Sequence, residues 1–153
     1  MGTQSLQDAS TVFVVDDGDD YRFLVQQVFS RYLPQYKVCL FSGGGELLDH
    51  LQAARTRPAL ILLDLHMPGM SGLETLAQLK QDTNENGHPS SIPPLRSVPV
   101  VMVTSSTSDE EIRRCYEAGA NSCLAKPIGL ETMRQHLALI CQYWMDTNRP
   151  LMA

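Results

Sequence analysis

The run Ala59-Leu60-Ile61-Leu62-Leu63 is apolar at every position and closes on an acid, Asp64. A strand that is hydrophobic without alternation is covered on both faces, as in a parallel sheet sandwiched by helices. Four further β-like runs accompany it, at Thr11–Val15, Lys37–Phe41, Val98–Val103 and Ser122–Ala125. Helical spacing fills the stretches between. Phe23, Leu24, Gln27 and Val28 mark the first helix, and Glu46, Leu47, Leu48 and Leu51 the second. Leu73, Leu76 and Leu79 mark the third, and Ile112, Cys115, Tyr116 and Ala118 the fourth. The last runs through Leu130, Met133, Leu137, Ile140 and Trp144. Strict alternation of strand and helix predicts an α/β fold, a doubly wound five-stranded parallel sheet with five helices.

Local signals refine the boundaries. Asp19 or Asp20 is expected to cap the first helix, and Ser108-Asp109-Glu110-Glu111 reads as a capping box before the fourth. Phe41-Ser-Gly-Gly-Gly-Glu-Leu-Leu48 follows a strand and opens a helix, but it lacks the spacing of a phosphate-binding glycine loop and reads as a flexible turn. One segment breaks the rhythm. Residues 81–97, rich in Pro, Gly, Asn and Ser, read as an inserted irregular loop, mobile and unnecessary for chemistry. The organisation expected is a polar tail over residues 1–10, one domain over 11–147 with an insertion at about 82–97, and a tail over 148–153.

Composition narrows the function classes. A net charge of −5 argues against a nucleic-acid surface, which needs a basic stripe. No apolar run approaches the ~20 residues of a membrane helix, and the polar start is no signal peptide, so a cytoplasmic protein is expected. Cys39, Cys115, Cys123 and Cys141 are widely spaced within apolar patterns and read as reduced structural thiols. The last helix should pack by its stripe, leaving Leu139, with Leu151 and Met152 beyond it, to cover a partner.

The strand ends carry the chemistry. The first delivers Asp16 and Asp17, the third Asp64, the fourth Thr104, and the fifth Lys126 followed by Pro127. In open α/β sheets this edge is where ligands bind. Three carboxylates at one edge repel one another unless a cation neutralises them, and hard oxygen ligands suit Mg²⁺. A nucleophilic carboxylate, a Mg²⁺ pocket, a hydroxyl and a lysine make a phosphoryl-transfer site. Taken singly, each residue has a plainer reading as turn, cap or solvated strand end. Jointly, on four strand ends, they do not.

The segments VFVVDDGDDYRFL, LILLDLHMPGMSGLE, VPVVMVTSS and AGANSCLAKPI together resemble the receiver domain of two-component response regulators. The resemblance runs from Thr11 to Trp144 in order. It implies a flavodoxin-like sheet of order 2-1-3-4-5. It also implies that Asp64 accepts a phosphoryl group from a histidine kinase or His-containing phosphotransfer protein. Asp17, Asp64 and the backbone carbonyl of His66 would hold Mg²⁺, with Asp16 reaching it through water, and Thr104 and Lys126 would bind the phosphoryl oxygens. Such a chain is a phosphoacceptor, not an enzyme on outside substrates, and it promotes only its own phosphorylation and dephosphorylation.

With the chain ending soon after its fifth helix, output is expected through contact with a downstream protein. A homodimer through helix four, strand five and helix five is a further expectation. The end of the chain also resembles stand-alone regulators that accompany bacterial phytochromes. His66, two residues beyond Asp64, could position water or shield the acyl phosphate. One departure stands out: receivers carry Tyr or Phe three residues before the lysine as a switch partner of Thr104, and here that position is Cys123. Two alternatives remain. One is a degenerate receiver acting only as an interaction module. The other is a haloacid-dehalogenase-like aspartyl phosphatase, which wants a second acid where His66 stands.

Overall fold

The computed structural model describes residues 11–53, 57–81, 95, 97–105 and 108–148. Five strands are present: β1 (Thr11–Val15), β2 (Lys37–Phe41), β3 (Leu60–Asp64), β4 (Val100–Thr104) and β5 (Ser122–Ala125). They alternate with α1 (Asp19–Tyr32), α2 (Gly44–Ala53), α3 (Gly72–Lys80), α4 (Asp109–Glu117) and α5 (Leu130–Cys141). A π-helical turn, Gln142–Thr147, continues α5. All strand pairs are parallel, in the order β2-β1-β3-β4-β5. This is the flavodoxin-like sheet that the alternation and the resemblance implied.

The unbroken apolar strands follow from two cores. Phe13, Val15, Ile61, Leu63 and Met102 pack on one face, against α2, α3 and Cys115 of α4. Val12, Val14, Leu60, Leu62, Val101 and Val103 pack on the other, against α1 and α5. Successive side chains point to opposite faces, so a strand buried on both must be apolar throughout.

Boundaries differ in instructive ways. β4 begins two residues later than expected, because Val98 N donates to Leu95 O in a turn and the ladder begins beyond it, and β3 and β4 each run one residue further, to Asp64 and Thr104. Asp64 and Thr104 therefore terminate their strands from within the sheet. The N-cap of α1 is Gly18, and Asp19 and Asp20 lie in the first turn, where their charge complements the helix dipole. Ser108 is the N-cap of α4 but makes no side-chain capping bond. Ser71 makes one instead, accepting from Glu74 N at 3.1 Å, a Ser-x-x-Glu start that the sequence reading passed over.

Phe23 is 62% exposed; of the expected stripe, Val28 is buried and Leu24 packs on the core, and Val25 and Phe29 complete the buried face of α1. Leu130 and Tyr116 are exposed too, as is Leu139, which had been placed outside the stripe. Gly44 is no loose turn. A Cβ there would lie 2.0 Å from Thr75 Oγ1, so the glycine lets α2 close against α3. All four cysteines are free.

The insertion is shorter than its composition suggested. Leu95 is 1% exposed in the core, and Lys80 Nζ donates to the carbonyls of Leu95 (3.2 Å) and Val98 (3.1 Å). Buried apolar surface and satisfied carbonyls make this end part of the domain. Residues 82–94 and 96, the tail 1–10, and Leu151 and Met152 lie outside the described residues.

Candidate functional site

The crevice forms at the C-terminal ends of β1 and β3, between which the connections part to opposite sides of the sheet. Asp16 follows β1 directly and is 2% exposed. Its Oδ1 accepts from Gly18 N at 2.8 Å, and its carbonyl accepts from Arg22 Nη1 at 2.7 Å. Asp17, next along, is exposed. Asp64 ends β3 and is 6% exposed. Oxygens of Asp16, Asp17 and Asp64 lie within 4.8 Å of one another. Three hard, anionic oxygen donors so close fit a divalent cation of the Mg²⁺ type, which offsets their mutual repulsion.

Lys126, just beyond β5, reaches across. Its Nζ lies 2.6 Å from Asp16 Oδ2 and 3.8 Å from Asp64 Oδ2. Lys126 N donates to Thr104 O at 2.8 Å, which ties the lysine to the end of β4. Thr104 itself is buried at that end. The sheet thus brings Asp16, Asp17, Asp64, Thr104 and Lys126 to one edge.

Burial, and next the Asp16 charge, push the Asp64 carboxyl up to about 6. Lys126 and the His66 amide oppose that rise, the amide donating to Asp64 Oδ1 at a long 3.4 Å.

The loop after Asp64 must leave sharply. Gly69 adopts φ +79, and Gly72 N donates to Leu65 O at 2.9 Å. A Cβ on Gly72 would lie 2.3 Å from Asp64 O and 2.8 Å from Leu65 Cα. Only glycine lets α3 start against the strand end that carries the acid. His66 turns outward, its Nε2 3.4 Å from Glu111 Oε2 in the first turn of α4. Cys123, the other position singled out, is half-buried on β5 beside the α3 and α4 side of the core.

Sequence reasoning missed Tyr21 and Glu111. The Lys126 ammonium sits 4.2 Å above the Tyr21 ring, a cation–π contact that orients it. Burial raises the Tyr21 hydroxyl's pKa, and the Asp16 and Asp64 charges raise it further. Tyr21 lay in view, in the first turn after the acid pair. Glu111 could not be read from spacing, because 45 residues separate it from His66.

The comparisons agree with this geometry. The response regulator receiver domain model matches residues 12–138. The probable methanogenesis regulatory protein FilR2 of Methanothrix harundinacea is 31% identical over 147 residues, which cover 94% of this chain and 88% of FilR2. Response regulator Rcp1 of Synechocystis sp. is 28% identical over 141 residues, 89% of each chain. The match to the sensory/regulatory protein RpfC of Xanthomonas campestris, 33% identical and covering 76% of this chain, spans only 14% of RpfC. Among solved structures, the phosphorylated cyanobacterial phytochrome response regulator RcpA superposes with a TM-score of 0.77 at 27% identity, over 94% of this chain and 99% of RcpA. The Mn²⁺-bound form of Rcp1 gives 0.74 at 27% identity, over 94% and 99%.

Proposed function

The chain belongs to the response regulator receiver domain family, and from that premise we propose that it accepts a phosphoryl group on Asp64 and signals through protein contact. The observation that carries the proposal is the meeting of Lys126 with Asp16 and Asp64 beside the three-carboxylate cluster. An Asp64 oxygen attacks the phosphorus of a phosphohistidine on a kinase or phosphotransfer protein. The P–N bond breaks, the electron pair stays on the donor's imidazole, and Asp64 becomes an acyl phosphate. Water later cleaves that bond and regenerates the carboxylate. The protein is a phosphoacceptor with self-catalysed turnover rather than an enzyme on outside substrates.

Asp17, Asp64 and the His66 carbonyl would hold Mg²⁺, and Asp16, whose oxygens already engage Gly18 N and Lys126, would reach it through water. The ion supplies positive charge to the carboxylates and to the phosphoryl oxygens. The divalent ion in the related Rcp1 structure supports this assignment. Lys126 and the Thr104 hydroxyl neutralise and orient the phosphoryl oxygens. Output runs through the face of α4, β5 and α5, where Tyr116, Leu139 and Tyr143 are exposed, toward a downstream protein or a second copy.

Incubation with acetyl phosphate and MgCl₂ tests the reading. Intact mass should rise by one phosphoryl group, and the rise should vanish in Asp64→Asn. Phosphorylation that persists in that variant would move the acceptor elsewhere.

A further inference from the structure

Helix α4 and strand β5 each turn a thiol into the same core. Cys115 of α4 is fully buried, and Cys123 of β5 packs half-buried against the cluster that holds it. The chain doubles back between them through Gly119, at φ +106, with Ala120 N donating to Cys115 O at 3.0 Å. Cys123 N donates to the Tyr116 hydroxyl at 3.2 Å, which holds the end of the helix against the strand. The Cys115 and Cys123 side chains share a hydrogen bond. The other two thiols lie apart from this pair. Cys39 is on β2, at the opposite edge of the sheet, and Cys141 is buried in the core of the other face. Neither can meet Cys115 or Cys123 while the sheet is intact.

We propose that Cys115 and Cys123 are a redox-modifiable pair, which a hydroperoxide oxidises to a disulfide joining α4 to β5. The half-buried Cys123 reacts first. Its thiolate attacks one oxygen of hydrogen peroxide, the O–O bond breaks, and Cys123 becomes a sulfenic acid. The departing hydroxide takes up the proton that the thiol gave and leaves as water. The Cys115 sulfur then attacks the Cys123 sulfur, an S–S bond forms and the S–O bond breaks. Hydroxide leaves with the Cys115 proton as a second water. Two thiols have lost two electrons, and the peroxide is reduced to two waters. The order follows from burial. Cys115 is closed to solvent, and burial, with the Cys123 neighbour next, pushes its thiol up to about 12, which makes it a poor first nucleophile. As the second thiol it needs no diffusion. Groups held in contact reach effective molarities of about 10⁵ M or more, which offsets a small thiolate fraction. This chemistry needs neither Asp64 nor its phosphorylation.

Thiol counting on the full, reduced chain tests the pair. The protein is treated with hydrogen peroxide, quenched with catalase, then unfolded and alkylated with iodoacetamide. Untreated protein takes up a label on each of its four free cysteines, and treated wild type should take up two fewer. Dithiothreitol before alkylation should restore all four. Cleavage after Glu111, Glu117 and Glu131 separates the two thiols, so the treated protein should yield two peptides joined through Cys115 and Cys123. In Cys115→Ala the link should be lost and dimedone should trap the Cys123 sulfenic acid. In Cys123→Ala, Cys115 should stay reduced. Four labels on treated wild type, a link through Cys39 or Cys141, or Cys123 carried on to the sulfinic acid with Cys115 still free would each overturn the proposal. The wild-type peptide map decides it even if a variant fails to fold.

Discussion

Lys126 Nζ is paired with Asp16 Oδ2 at 2.6 Å, while Asp64 Oδ2 stands 3.8 Å away. The lysine therefore holds the buried Asp16 carboxylate and stands beyond hydrogen-bond distance of Asp64. Its ammonium sits 4.2 Å above the Tyr21 ring, which holds it beside the two acids.

Lys126→Met should lower the stability of the cation-free protein, because it strands the Asp16 carboxylate, 2% exposed, without its partner. For a pair that is partly open on the lysine side, a loss of about 1–3 kcal/mol is expected. Urea denaturation with and without MgCl₂ measures it, and the added cation should recover part of the loss. Equal midpoints for variant and wild type would show that the pair contributes nothing.

Asp64 should make stability depend on pH in a definite direction. Its carboxyl is raised from 3.8 to about 6, so the native state binds more protons than the unfolded chain between those values. Stability from this group is greatest at low pH and falls as pH rises through that window, by no more than about 3 kcal/mol in all. Asp64→Asn should abolish that part of the slope and be more stable than wild type at pH 8 without Mg²⁺. Mg²⁺ affinity in the wild type should weaken below about pH 6, as protons compete for the same oxygens. Thermal melts against pH, with and without MgCl₂, would show the same slope for wild type and Asp64→Asn if the shift were absent.

Gly72→Ala should destabilise the fold by about 1–3 kcal/mol and slow phosphorylation. The new Cβ meets backbone, Asp64 O at 2.3 Å and Leu65 Cα at 2.8 Å, neither of which can step aside alone. Gly45→Ala is the control, since nothing lies within 4 Å of its Cβ and Ala favours the helix. Matching melting temperatures for the two variants would contradict the steric argument.

The thiols should divide in native alkylation. Burial pushes Cys115 and Cys141 up to about 12, and both side chains are fully covered. Iodoacetamide at pH 8 should modify Cys123 and spare these two until the protein is denatured. Mass mapping that finds Cys115 labelled as fast as Cys123 would mean that α4 opens readily from β5.

The sequence by itself determined the sheet and the identity of the acids. Strands buried on both faces must be apolar at every position, which makes them legible, and in a parallel sheet every strand end arrives at the same edge. Asp16, Asp17, Asp64, Thr104 and Lys126 were thus readable as one group before any distance was known. What only the tertiary structure decided depends on contacts between residues far apart in the chain. The pairing of Lys126 with Asp16, the Tyr21 ring beneath it and the reach of Glu111 to His66 each join separate elements. So does the closeness of Gly44 to Thr75. Periodicity also placed Phe23 beside Leu24 and Val28 on the buried face of α1, because Phe23 fits an apolar stripe as well as Val25 does, and only the sheet's position chose between them. A repeating pattern records what one element needs from its surroundings, whereas these contacts depend on where a second element comes to rest.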